Sequence, residues 1–120
     1  MTRILIVDDE TTIAEMLGDV LAEEGYEVRL AAHGRAALAE MALWRPDLII
    51  SDLMMPVMGG AELARTIRAT PDYQDLPIVM ISAGAVQGLP QSEMYQAFLA
   101  KPFHLDQMLE LVNQLLGEGG

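Results

Sequence analysis

At 120 residues the chain has the length of one domain and enough material to bury a single core. Just over half of it is apolar and 21% is charged, the balance of an ordered chain and not of a disordered one. The net charge of −11 repels phosphate backbones and anionic lipid, so nucleic acid and membrane surfaces are disfavoured as partners of this segment. Without cysteine there is neither a disulfide framework nor a thiolate metal site, which suits a reducing cytoplasm, the expected location. No apolar stretch reaches the length of a bilayer span, and the opening run from Met1 meets acid at Asp8, too soon for a secretory signal. Lys101 is the only lysine, and the six arginines all lie at or before Arg68.

The first predicted element is a strand at 4–7, Ile-Leu-Ile-Val, ending in Asp8-Asp9-Glu10. Apolar residues in succession, not alternation, fit a strand covered on both faces, as in a parallel sheet. Ile13, Met16, Leu17, Val20 and Leu21 then recur at helical spacing, with Gly25 placed to stop the helix. A second strand is predicted at 27–31, a turn at His33-Gly34 and a helix at about 35–43. The third strand, 47–51, follows Pro46 and ends on Asp52. A loop over 53–60 leads to a helix carrying Leu63 and Ile67, which Pro71 breaks. Pro77 opens a fourth strand, 78–81, closed by Ser82; a short fifth strand lies near 98–100. Leu105, Met108, Leu109, Val112, Leu115 and Leu116 make the stripe of a last helix. The domain is expected over 1–117, with 118–120 a tail or the start of a linker. Strands alternating with helices imply right-handed crossovers, hence a doubly wound α/β fold around a five-stranded parallel sheet.

In such a sheet ligands bind outside the carboxyl ends of the strands. Those ends carry Asp8 and Asp9, then Asp52, Ser82 and Lys101. An acid at one strand end means little, because loops are polar; all five residues together are hard to explain as chance. Clustered carboxylates repel one another and tolerate their charge best around a hard cation. Oxygen donors with room for water suit Mg²⁺ better than Ca²⁺ or Zn²⁺. A carboxylate beside Mg²⁺ can attack an activated phosphoryl group and give an acyl phosphate, a transfer that needs positioning and charge neutralisation more than a base. Lys101 would balance charge on the phosphoryl oxygens, and the Ser82 hydroxyl would donate a hydrogen bond to one.

Four stretches in this order resemble the receiver domains of bacterial response regulators: Ile4 to Glu10, Asp47 to Gly60, Pro77 to Ala83, and Phe98 to Phe103. The resemblance covers essentially the whole chain. It implies a flavodoxin-like sheet of order 2-1-3-4-5 and a switch that accepts a phosphoryl group on Asp52 from a histidine kinase or phosphotransfer protein. It further implies Mg²⁺ held by Asp9 and Asp52 with the backbone carbonyl of Met54, Asp8 acting largely through water. Ser82 and Lys101 become the phosphoryl partners, Ser82 and Phe98 the switch pair, and Lys101-Pro102 a candidate cis peptide. The signal would pass to a downstream protein target. Such a domain is a phosphoacceptor and not an enzyme in the ordinary sense.

Between Ser82 and Lys101 the sequence departs from the family. Gly84, Gly88 and Pro90 disfavour a helix interior, and Tyr95-Gln96-Ala97 stands where a Gly-Ala pair is usual. A fourth helix there is expected to be short, displaced or atypical. Paired acidic and basic residues join one subfamily into dimers across the last helix and strand. With Lys101 committed to the site, no lysine or arginine remains beyond Arg68 to build such pairs, so that symmetric dimer is not expected. His33 reads as a turn residue and His104 as the start of the last helix. Met16 and Met108 read as core. Met54 is expected to border the acceptor, opposite Gly84, with nothing to orient an attacking water, which implies slow self-dephosphorylation. A second acid two residues after the nucleophile, typical of aspartyl phosphatases, is replaced here by Met54.

Overall fold

The structure, a computed structural model, describes residues 1–83 and 89–117. Five strands form one parallel sheet: β1 (Arg3–Val7), β2 (Glu27–Ala31), β3 (Leu48–Asp52), β4 (Ile78–Ser82) and β5 (Ala97–Ala100). Their order is β2-β1-β3-β4-β5, as the family resemblance implies. Four α-helices are described: α1 (Thr11–Glu23), α2 (Gly34–Leu43), α3 (Gly60–Arg68) and α4 (Leu105–Leu116).

The run of successive apolar residues in β1, β3 and β4 has the predicted cause. Side chains alternate across a strand, so a strand covered on both sides needs apolar residues at every position. One face packs Leu5, Ile49, Ile78 and Met80 against α2 and α3, through Ala37, Met41, Leu63 and Ile67. The other packs Ile4, Ile6, Leu48, Ile50, Val79 and Ile81 against α1 and α4, through Leu17, Leu21, Met108 and Val112. Complete burial of one such side chain stabilises by about 1.5–3 kcal/mol. β2 is an edge strand, and Arg29 and Leu30 on it are exposed. Met16, expected in the core, is 47% exposed, whereas Met108 is fully buried. The α1 stripe that meets the sheet is Ala14, Leu17, Gly18 and Leu21, and Met16 lies to one side of it.

Helix ends follow local chemistry. Gly25 has φ +97°, the left-handed value that stops α1. His33, the turn residue, is the N-cap of α2, its Nδ1 accepting the Ala36 N–H at 3.1 Å. His104 precedes the first residue of α4. The α4 stripe of the sequence faces the sheet, with Met108 and Val112 buried and its leucines partly buried, and Gly117, at φ +70°, ends the helix.

The atypical fourth helix falls on a connection of which residues 84–88 lie outside the described residues. Among those described, the helical element between β4 and β5 is a single 3-10 turn, Ser92–Met94, so α4 is the last of four described α-helices. Leu89, Met94 and Tyr95 pack against the α2/α3 face. Arg68, at the end of α3, ties this connection down. It donates to the carbonyls of Met94 (3.1 Å), Tyr73 (3.2 Å) and Gln74 (3.1 Å) and to Gln96 Oε1 (3.0 Å). Gln96 Oε1 also accepts the Ile78 N–H at 2.7 Å, so the side chain standing where a small residue was expected completes the start of β4.

Candidate functional site

The carboxyl ends of β1 and β3 meet where the crossover from β1 to β2 leaves on one side and that from β3 to β4 on the other. Asp52 is the last residue of β3, in register with Ile81 and 6% exposed. Strand alternation puts it on the same face as Leu48 and Ile50, the α1/α4 side. Asp8 follows β1 at once and is 2% exposed. Its N–H donates to the Ala31 carbonyl (3.0 Å), and its Oδ1 accepts the Glu10 N–H (2.9 Å). Lys101 follows β5, its N–H donating to the Ser82 carbonyl at 2.8 Å. The Lys101-Pro102 peptide is cis.

The Lys101 ammonium reaches back across the sheet. Its Nζ lies 2.8 Å from Glu10 Oε1, 3.0 Å from Asp8 Oδ2 and 3.5 Å from Asp52 Oδ1. Oxygens of Asp8, Glu10 and Asp52 fall within 4.8 Å of one another. Three carboxylates thus face one ammonium, leaving excess negative charge in a half-closed site. Burial pushes the Asp52 carboxyl up from 3.8 to about 6, and the neighbouring Asp8 charge adds to this. The Lys101 charge and the Leu53 N–H act in the opposite sense. Asp52 is therefore largely ionised at neutral pH. Burial disfavours the Lys101 charge, but hydrogen bonds to Glu10 and Asp8 and the Asp52 charge override it and hold the ammonium above its usual range.

Of the residues singled out from sequence, Asp8, Asp52 and Lys101 are in direct contact. Asp9 is exposed and stands outside the group of three carboxylates; Glu10 takes the third place. The signal for Glu10 was only its membership of the acid run after β1. Ser82 ends β4 and is 5% exposed. Phe98 is half-buried against the α2/α3 face and pairs in register with Met80, two residues before Ser82. The Met54 side chain is 69% exposed, on the loop that leaves Asp52. That loop closes tightly: a Cβ on Gly60 would sit 2.4 Å from the Asp52 carbonyl oxygen, so only glycine lets α3 start this close to β3. Buried carboxylate oxygens beside an opening to solvent fit a hard divalent cation that keeps part of its water.

Comparison with known proteins agrees with this geometry. The family model described as response regulator receiver domain matches residues 4–113. The response regulator MprA of Mycolicibacterium vanbaalenii is 40% identical over 119 residues, covering 95% of this chain and 50% of that protein. MprA of Mycobacterium avium matches to the same extent. Among solved structures, the chemotaxis response regulator CheY4 of Vibrio cholerae superimposes with a TM-score of 0.88 at 35% identity, over 97% of this chain and 99% of that one. The response regulator TrrA of Thermotoga maritima, solved in complex with Mg²⁺-BeF, has a TM-score of 0.86 at 37% identity, over 97% and 100%. The chain belongs to the response regulator receiver domain family of two-component systems. It spans about half the length of the curated relatives it matches.

Proposed function

We propose that the chain is a signalling switch that accepts a phosphoryl group on Asp52 from a histidine kinase or phosphotransfer protein, in a reaction requiring Mg²⁺. The observation that carries this reading is a buried Asp52 carboxylate with an ammonium 3.5 Å away and two further carboxylates beside it. An Asp52 oxygen forms its bond to phosphorus as the bond from phosphorus to the donor's nitrogen or oxygen breaks, giving an acyl phosphate. Lys101 balances the charge on the phosphoryl oxygens, and the Ser82 hydroxyl donates a hydrogen bond to one of them. Asp8 and Asp52, with Asp9 and the Met54 carbonyl that the family pattern adds, would hold Mg²⁺, which neutralises phosphoryl charge when bound. Beryllium fluoride has the shape and charge of a phosphoryl group, so the TrrA complex supports the same use of the site here.

Movement of Ser82 toward the phosphoryl group leaves space into which Phe98 turns, and a downstream protein target reads the altered surface. Met54 offers an attacking water no hydrogen bond, which favours a long-lived phosphoryl group; Gly84, its expected neighbour, lies outside the described residues.

Incubation with acetyl phosphate and Mg²⁺ should add one phosphoryl mass to the wild type and none to Asp52→Asn. An unlabelled wild type, or an Asp52→Asn variant labelled as well as the wild type, rejects the proposal.

A further inference from the structure

We infer that Glu10 is a positioning residue that keeps the Lys101 ammonium at the rim of the site once other partners have claimed Asp8 and Asp52. The inference rests on the function proposed above and extends it to a residue outside the family's metal and phosphoryl set.

Two separate observations point to this role. Glu10 stands at the N-cap of α1, where a short polar side chain normally closes the first turn, yet its side chain makes no capping bond. It is turned instead to Lys101, and at 2.8 Å it is the nearest of the three carboxylates to Nζ. The second observation is the contrast in exposure. The side chains of Asp8, Asp52 and Lys101 are 0%, 8% and 7% exposed, whereas that of Glu10 is 55% exposed.

The physical consequence follows from counting donors. An ammonium has three N–H groups, and here they face three carboxylates. A cation held by Asp8 and Asp52 competes for two of these and repels the ammonium. Glu10, on the solvent side, is then the carboxylate left to Lys101. Without it the lysine side chain gains rotamer freedom, and ordering it again opposes phosphoryl transfer. A long, exposed glutamate suits such a tether, because it can follow the ammonium without leaving an unpaired buried charge.

The single lysine makes a direct test possible. Selective ¹⁵N-lysine labelling gives one side-chain ammonium resonance, visible only while the group is shielded from rapid exchange with water. With saturating Mg²⁺, the wild type should keep this resonance, Glu10→Ala should lose it, and Glu10→Gln should retain it in part through its amide oxygen. Without Mg²⁺, all three proteins should show it. Labelling by acetyl phosphate should slow about three- to tenfold in Glu10→Ala. A resonance that persists in Glu10→Ala with Mg²⁺, or is absent from the wild type, overturns the inference. So does a fall of about tenfold or more in Mg²⁺ affinity by calorimetry, which would make Glu10 a metal ligand instead. Failure of the wild type to take label strikes the functional proposal, while the resonance judges Glu10 by itself.

Discussion

Val57 and Asp52 sit five residues apart, and each carries a cost for the sake of the site's geometry. Val57 has φ +68°, where a β-branched residue is strained, and its side chain is 67% exposed, so packing returns little. Replacing it with glycine should raise stability by about 1 kcal/mol, read as a higher urea midpoint at unchanged slope. Asp52 carries an electrostatic cost. Its carboxyl is raised from 3.8 to about 6, so the folded protein binds this proton more tightly than the unfolded chain. The penalty is absent below about pH 4, grows between pH 4 and 6, and is complete above 6. In metal-free buffer, Asp52→Asn should therefore stabilise the protein by about 1–2 kcal/mol at pH 7 and have little effect near pH 4. Chemical denaturation at the two pH values checks the sign.

At the scale of elements, Arg68 fastens the described part of the connection from β4 to β5 by hydrogen bonds. Arg68 makes four hydrogen bonds, to Met94, Tyr73, Gln74 and Gln96, and so fastens the end of α3 to the segment preceding Phe98. Burial lowers the Arg68 pKa, and the nearby Asp75 charge opposes this. Removing the guanidinium leaves several carbonyls short of a donor. Arg68→Ala should cost about 2 kcal/mol and speed amide exchange at Ile78 and around 94–97 more than in β1. Arg68→Lys should recover little, since one ammonium cannot serve four divergent acceptors.

Across the whole molecule, charge is divided by type. Arg3 and Arg29 lie over the Trp44 ring, 5.3 and 5.0 Å from its centre, and Arg45 lies over Tyr73 at 5.0 Å. With Arg68 these arginines support the scaffold, while the lone lysine serves the acid cluster. The net charge of −11 and the excess of carboxylates at the site favour a cation bound to the folded state alone. Mg²⁺ at a hundred times its dissociation constant should stabilise the protein by about 2.7 kcal/mol. A thermal melt should show a midpoint higher by several degrees, and a much smaller rise in Asp52→Asn. Equal rises in both proteins would show that the metal acts elsewhere.

The sequence by itself determined the layers and the acidic edge of the sheet. Its successive apolar runs require strands covered on both faces, and acids closing β1 and β3 must project from one edge of a parallel sheet. Asp8, Asp52 and Lys101 were legible for that reason, and so were the stops at Gly25 and Gly117. The family pattern, not periodicity, supplied the strand order. Tertiary structure decided what depends on distance between separate elements. It set Glu10 and not Asp9 beside the ammonium, a contact between groups 91 residues apart in sequence. It exposed Met16, since which side of a helical stripe meets the sheet depends on the angle of packing. It also gave Arg68 and Gln96 a shared task across 28 residues of sequence, which no local pattern encodes. Composition and spacing specify which groups reach the edge; only packing specifies which of them touch.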